Sequence, residues 1–141
     1  VEGHDVRAYH HTHRVTFDET NLVGNVYFAH YLRWQGHCRE SFLAEQAPGV
    51  LKALQSGELA MATVHCDMDY YAECYALDEI DIEMTLRARH TNRVVMDFDF
   101  RRAGQRVARG SQTVACLRRT ENGVEPVAIP EEMARALVPF E

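Results

Sequence analysis

Residues 17–40, FDETNLVGNVYFAHYLRWQGHCRE, carry polar groups whose types and spacing could serve attack on an acyl carbonyl. Asn21 sits in a turn-like stretch. Its amide can hold a water or a carbonyl oxygen by hydrogen bonds, but it neither attacks nor takes a proton at neutral pH. From Gly24 to Phe28 the chain runs into a helix start, where backbone N–H groups lack intrahelical acceptors and the helix dipole favours negative charge. Such amides can stabilise a developing oxyanion. Arg39 follows Phe28 by eleven residues, about three helical turns, and so shares its face. Arginine is rarely buried unpaired. It either snorkels or pairs with a carboxylate such as Asp69 or Glu73, or it faces a cavity and binds a ligand oxygen there. Asp18, Glu19, Asp69 and Glu73 are the acids that could activate a water, and each reads equally well as an exposed surface acid.

Other groupings carry less chemistry. His10, His11 and His13 invite a metal, but only His11 and His13 share a strand face and no further His or Cys follows at ligand spacing. No metal and no cofactor is expected. His37 and Cys38 are adjacent on a helix and point in different directions, so they do not form a nucleophile pair. Arg101, Arg102, Arg106 and Arg109 gather around one hairpin, either as a solvated face or as a docking surface for an acidic partner.

The elements that must position these groups follow from periodicity. Residues 9–17 are β-branched and aromatic with alternation, which predicts a strand, and DETNLVGN reads as a turn. Residues 28–45 carry Phe28, Leu32, Gln35, Arg39, Phe42 and Leu43 at spacings of three and four, a helix with those residues on one face. APG ends it, and a second short helix closes at Gly57. Residues 59–71, 78–90, 93–102 and 105–119 then read as strands, with Ile80, Ile82, Met84 and Leu86 alternating against charges and Val94, Met96, Phe98 and Phe100 doing the same. Ala103-Gly104 is a tight hairpin turn, TENGV is another turn, and Pro130 begins a terminal helix. One long helix followed by long antiparallel strands predicts an α+β layer, a curved sheet packed around a central helix.

At 141 residues, without repeat or linker, the chain reads as a single domain over 1–141 with a core that needs no staples. A net charge of -6 argues against nucleic-acid binding. No stretch approaches the ~20 apolar residues of a membrane span, and the polar start is no signal peptide. The first residue is not Met, so the start reads as trimmed. Cys38, Cys66, Cys74 and Cys116 are scattered, which suits reduced, mostly buried thiols in a cytoplasmic protein, with a disulfide between two of them as the alternative.

Strand, turn, FDETNLVGNVYFAHYLRW, central helix and downstream sheet together resemble the hotdog fold, in its 4-hydroxybenzoyl-CoA thioesterase-like branch. Asp18, Asn21, Gly24, Val26, Tyr27, Phe28, Tyr31, Leu32, Arg33 and Trp34 carry the likeness, and MDYYAECYALDEIDIEMTLRA matches a second block. ETNLVGNVYFAHYLRWQGHCRE is similar, more closely, to thioesterases partnered with enediyne polyketide synthases, which release a polyene chain from an acyl carrier protein. The resemblance implies a thioester hydrolase with Asn21 at a position that holds aspartate in many relatives, and it puts the carbonyl-binding amide at Phe28. It implies a catalytic Arg39 that orients a β-keto thioester, Tyr27 beside the reacting group or walling the channel, and substrate contacts from Gly24, Val26, Leu32 and Phe42. It also implies a dimer or tetramer. A general acyl-CoA thioesterase and a non-catalytic acyl-binding protein are the alternatives.

Overall fold

The computed structural model describes residues 7–141; the expectation about the polar start lies, for residues 1–6, outside them. Strand β1 (Tyr9–Arg14) and a 3-10 turn (Phe17–Glu19) precede helices α1 (Ala29–Gln46) and α2 (Pro48–Ser56). Strands β2 (Ala60–Tyr70), β3 (Glu79–Arg89), β4 (Arg93–Arg102), β5 (Gln105–Thr120) and β6 (Gly123–Pro126) follow, then helix α3 (Glu131–Leu137) and a last 3-10 turn (Val138–Phe140). The strands make one antiparallel sheet in the order β1-β3-β4-β5-β2, with β6 on β5. Helix α1 lies against it, touching β1, β2, β3 and β5. The α+β layer expected of the sequence is present.

Alternation builds the middle of the sheet. Ile80, Ile82, Met84 and Leu86 of β3, and Val94, Met96, Phe98 and Phe100 of β4, are all buried against the helix side. Each contributes about 1.5–3 kcal/mol by leaving water. The residues between them carry the charges outward, where Arg101 meets Glu83 and Arg87 meets Asp97. Ala103 and Gly104 join β4 to β5 with φ of 49° and 83°, the left-handed pair that matches the twist of a two-residue hairpin. Beyond the second turn the chain forms β6, a strand the sequence did not announce. It is four residues long and mostly exposed, too short to display an alternation.

The helix is where the pattern and the packing differ. The buried face of α1 is Tyr31, Trp34, Gln35, Cys38, Phe42 and Leu43. Phe28 is exposed, and Leu32 and Arg39 are only partly covered. The core-facing stripe is therefore rotated by roughly 70° from the expected one, at about 100° per residue. Trp34 explains the rotation, because its indole is drawn toward β1 and the turn before the helix. That leaves Arg39 aimed toward β2 and β5.

Gln35 is fully buried and reaches β5 at Ser111, its Nε2 3.5 Å from the carbonyl oxygen. Gly110 makes the space. A methyl there would overlap Gln35 Oε1 and lie 2.6 Å from the Asp67 carbonyl oxygen. Gly110→Ala is expected to lower stability by about 1–3 kcal/mol, the cost of overpacking. Urea unfolding of the two proteins checks it, and an unchanged midpoint would show that the helix can lift off β5 freely.

Candidate active site

Glu19 organises the approach to the helix. It is 3% exposed, and a buried carboxylate needs donors to remain charged. It has them from three elements. Its carboxylate accepts the Thr16 N–H at 2.9 Å, the Trp34 indole N–H at 2.8 Å and a hydrogen bond with His13 Nε2 at 2.8 Å. Burial alone would push the carboxyl up. The Thr16 amide, the indole and His13 outweigh it and hold the pKa down at about 2, from an ordinary 4.5. All this makes Glu19 a structural anchor rather than the base that activates a water. Its carbonyl oxygen accepts the Tyr27 N–H at 3.0 Å, so the same residue sets where the chain enters α1.

The intervening loop is a small hairpin. Thr20 bridges Val26, the Asn21 N–H donates to the Asn25 carbonyl at 2.7 Å, and the Gly24 N–H returns to the Asn21 carbonyl at 2.9 Å. Gly24 has φ of 95°, a conformation that suits glycine. Val26 is buried and ties the hairpin to the segment after β2, its N–H donating to the Cys74 carbonyl at 2.8 Å. Asn21 is exposed at the tip. Its side-chain Nδ2 donates to Asn25 Oδ1 at 3.3 Å, and Asn25 Nδ2 donates to the Glu73 carboxylate. Sequence reasoning missed Asn25 altogether, and its place beside another turn residue carries no signal.

Phe28 caps α1. Its own N–H has no acceptor among the described residues, unlike that of Tyr27, which Glu19 occupies. Its carbonyl accepts the Tyr70 hydroxyl at 2.8 Å, which fixes the helix start to the end of β2. The ring of Phe28 is 56% exposed, tilted at 45° against that of Tyr27 with centroids 4.7 Å apart, and edge-on to Tyr70. Leu22 and Val23 in the preceding hairpin are exposed as well.

Arg39 does not pair with Asp69 or Glu73. Its Nη1 donates to Gln112 Oε1 on β5 at 2.8 Å and reaches Thr63 Oγ1 on β2 at 3.5 Å, while its Nε is buried without a partner. No carboxylate lies within ion-pair distance of it among the described residues. Burial pulls its pKa down, with Glu40 acting the other way; the guanidinium nevertheless stays charged. Thr63 stands where β2 shifts register, between Thr63 and His65.

The remaining expected residues separate. Leu32 is half-covered on the Arg39 side of the helix. Phe42 is sealed in the core, edge-on to Tyr9 and Phe140 at 5.5 and 5.8 Å, and lines no opening. Phe42 belongs to both the expected and the observed face of α1, and within one chain it packs in the core rather than beside Tyr27 and Phe28. The hairpin arginines are largely neutralised: Arg101 by Glu83, Arg102 by Asp78 and Arg106 by Asp99. Asp69 lines a shallow hollow of about 520 Å³ on the outer face of the sheet with Asp67, Tyr71, Arg87 and Arg109, away from the helix start. His11 and His13 go separately, to Ser41 and Glu19. An exposed His10 instead meets Asp81 and Glu83. The cysteines are free, and burial, with Asp81 adding to it, pushes the Cys38 thiol up to about 12.

A family model described as the thioesterase-like superfamily matches residues 15–137. The chain belongs to the thioesterase-like superfamily. Within it, the dynemicin thioesterase, whose crystal structures describe polyene binding, is 55% identical over 94% of this chain and 96% of that one, with a TM-score of 0.90. A 1,4-dihydroxy-2-naphthoyl-CoA hydrolase from Synechocystis sp. is 24% identical over 86% of this chain and 89% of its own. The 4-hydroxybenzoyl-CoA thioesterase shares the hotdog fold at 16% identity, covering 93% of this chain and 99% of that one with a TM-score of 0.82. Among the described residues no helix of this hotdog thioesterase is long and apolar enough to cross a membrane.

Glu19 predicts an acid dependence of stability. Its folded pKa lies below its unfolded one, so its contribution is complete above pH 4.5 and lost as pH falls through about 2. Glu19→Gln is expected to cost on the order of 2–3 kcal/mol at neutral pH and to flatten the loss of stability between those values. Unfolding titrations of both proteins from pH 7 to 2 check it. Parallel curves would remove Glu19 from this role.

Proposed function

We propose that this thioesterase hydrolyses a β-keto polyene thioester carried by the acyl carrier protein of an iterative enediyne polyketide synthase. Water adds to the acyl carbon, the carbon–sulfur bond breaks, and one proton leaves with the sulfur as thiol while the other stays with the acid. The β-keto acid so released can lose carbon dioxide. The observation that carries the reading is Arg39: a guanidinium partly enclosed, hydrogen-bonded only to neutral side chains and with its Nε unmet. A buried cation without a counter-charge is costly unless an oxygen ligand arrives to meet it.

A β-keto thioester suits the rest of the arrangement. Its second carbonyl makes the thioester carbon more electrophilic, so positioning and oxyanion stabilisation suffice where a carboxylate is lacking. Asn21 holds the water, the free Phe28 amide receives the oxyanion, and Tyr27 walls the reacting group. Arg39 lies about 16 Å further along α1, so the β-keto oxygen it takes belongs to a substrate held by Asn21 and Phe28 of a second copy. Gly24, Val26 and Leu32 shape the approach. The likeness to the dynemicin thioesterase supports the polyene chain and the enediyne context. The uncovered rings of Tyr27, Phe28 and Tyr70 beside the edge strand β2 support a homo-oligomer, dimer or tetramer, in which a second copy completes the channel. Hydrolysis of an acyl-CoA is the second reading, favoured by the relative named for a CoA thioester.

Hydrolysis of a β-ketoacyl and a matched simple acyl N-acetylcysteamine thioester tests this. The β-ketoacyl substrate is expected to be cleaved faster, and Arg39→Ala to slow it by about 10²-fold while barely affecting the simple acyl substrate. Equal cleavage of both, indifferent to Arg39→Ala, overturns the β-keto assignment. A normal rate for Asn21→Ala removes Asn21 from the mechanism, and tight acyl binding without turnover points to an acyl-binding protein.

A further inference from the structure

The hairpin of Asn21 and Asn25 is bound at its side to the segment that follows β2. Asn25 bridges Tyr75, and the Val26 N–H meets the Cys74 carbonyl. That segment is itself held by Arg102, whose Nη1 donates to the Glu73 carbonyl at 2.5 Å and to the Asp78 carboxylate at 3.2 Å. Glu73 is thereby fixed beside Asn25, forty-eight residues away in sequence. The three side chains form a line in which Glu73 accepts from Asn25 Nδ2 and Asn25 Oδ1 accepts from Asn21 Nδ2.

Such a line has a direction. An amide can turn over and exchange its donor and acceptor ends at little cost in shape, but an ionised carboxylate only accepts. Glu73 therefore requires the NH2 end of Asn25, which leaves the Asn25 oxygen facing Asn21. Asn21 must then turn its NH2 inward, and its Oδ1 becomes the end that faces solvent. A water bound there donates one O–H to Oδ1, which raises the electron density on its oxygen and leaves both lone pairs unused; a water bound to Nδ2 would instead give one of its two lone pairs to that N–H and become less nucleophilic. We propose that Glu73, acting through Asn25, is a positioning residue that sets the orientation of the Asn21 amide and so presents Oδ1 to the attacking water. This rests on the thioester-hydrolysis reading above. Glu73 touches neither water nor substrate, takes no proton, and acts only by being unable to donate.

Glu73→Gln keeps the shape and removes the direction, because glutamine can offer either end to Asn25. On the β-ketoacyl N-acetylcysteamine thioester it is expected to lower kcat by about tenfold or more, the scale of a misaligned group, with KM within about twofold. In the Asn21→Ala background the same change is expected to have no further effect on kcat, a coupling that a merely structural role would not produce. Glu73 is exposed, and thermal unfolding of each variant confirms that it folds. An unchanged kcat for Glu73→Gln, or an equal loss with and without Asn21, overturns the proposal. Should the wild-type protein hydrolyse no thioester, the hydrolysis reading fails by itself. The Asn21 side-chain NH2 resonances in 15N–1H spectra then decide the network: a shift in Glu73→Gln supports the fixed orientation and unchanged resonances overturn it.

Discussion

A single buried carboxylate holds the entrance of the central helix in place. Glu19 lies out of water, and a charge there persists only if donors surround it. Those donors come from the end of β1, the turn itself and the first turns of α1, so keeping the charge satisfied also keeps three elements in register. The consequences spread outward. The indole that serves Glu19 turns the helix, the turned helix buries Tyr31 and Cys38, and the Glu19 carbonyl occupies the Tyr27 amide while the next amide, that of Phe28, is left unmet among the described residues. An oxyanion site at a helix start needs such a defined difference between neighbouring N–H groups.

Arg39 is the opposite case. Glu19 is a buried charge fully met by the fold, whereas Arg39 is a partly buried charge met only by an amide and a hydroxyl. Unsatisfied polar groups are scarce in folded proteins because each is costly, and the buried Nε of Arg39 is one of them. The exposed rings around Phe28 are its apolar counterpart.

Much of the frame was legible in the residues. Strands β3 and β4 show period-two alternation because one face packs on a helix and the other meets water, and the Ala103-Gly104 turn declares itself through the left-handed geometry that it must adopt. The existence and length of α1 were legible too. Its buried face was not, since Leu32 and Tyr31 are equally acceptable to a core and only the partners across the sheet decide between them. Strand β6 is held by pairing with β5 rather than by its own pattern. At the site, Asn21, Phe28 and Arg39 stood out by residue type and helix position, whereas Glu19 looked like any acid in a turn until its donors were in place.

The sequence by itself determined the class of fold, the position of the helix start with its unpaired amides, and the presence of an amide and a guanidinium on the same stretch, because propensity and periodicity are local properties of the chain. Tertiary structure alone decided which charges are satisfied. Whether an acid anchors a loop, whether an arginine finds a carboxylate, and which way an asparagine turns all depend on donors and acceptors brought from distant positions. Glu73 and Asn25 meet across forty-eight residues, and no local rule relates them; only the closure of the sheet around the helix does.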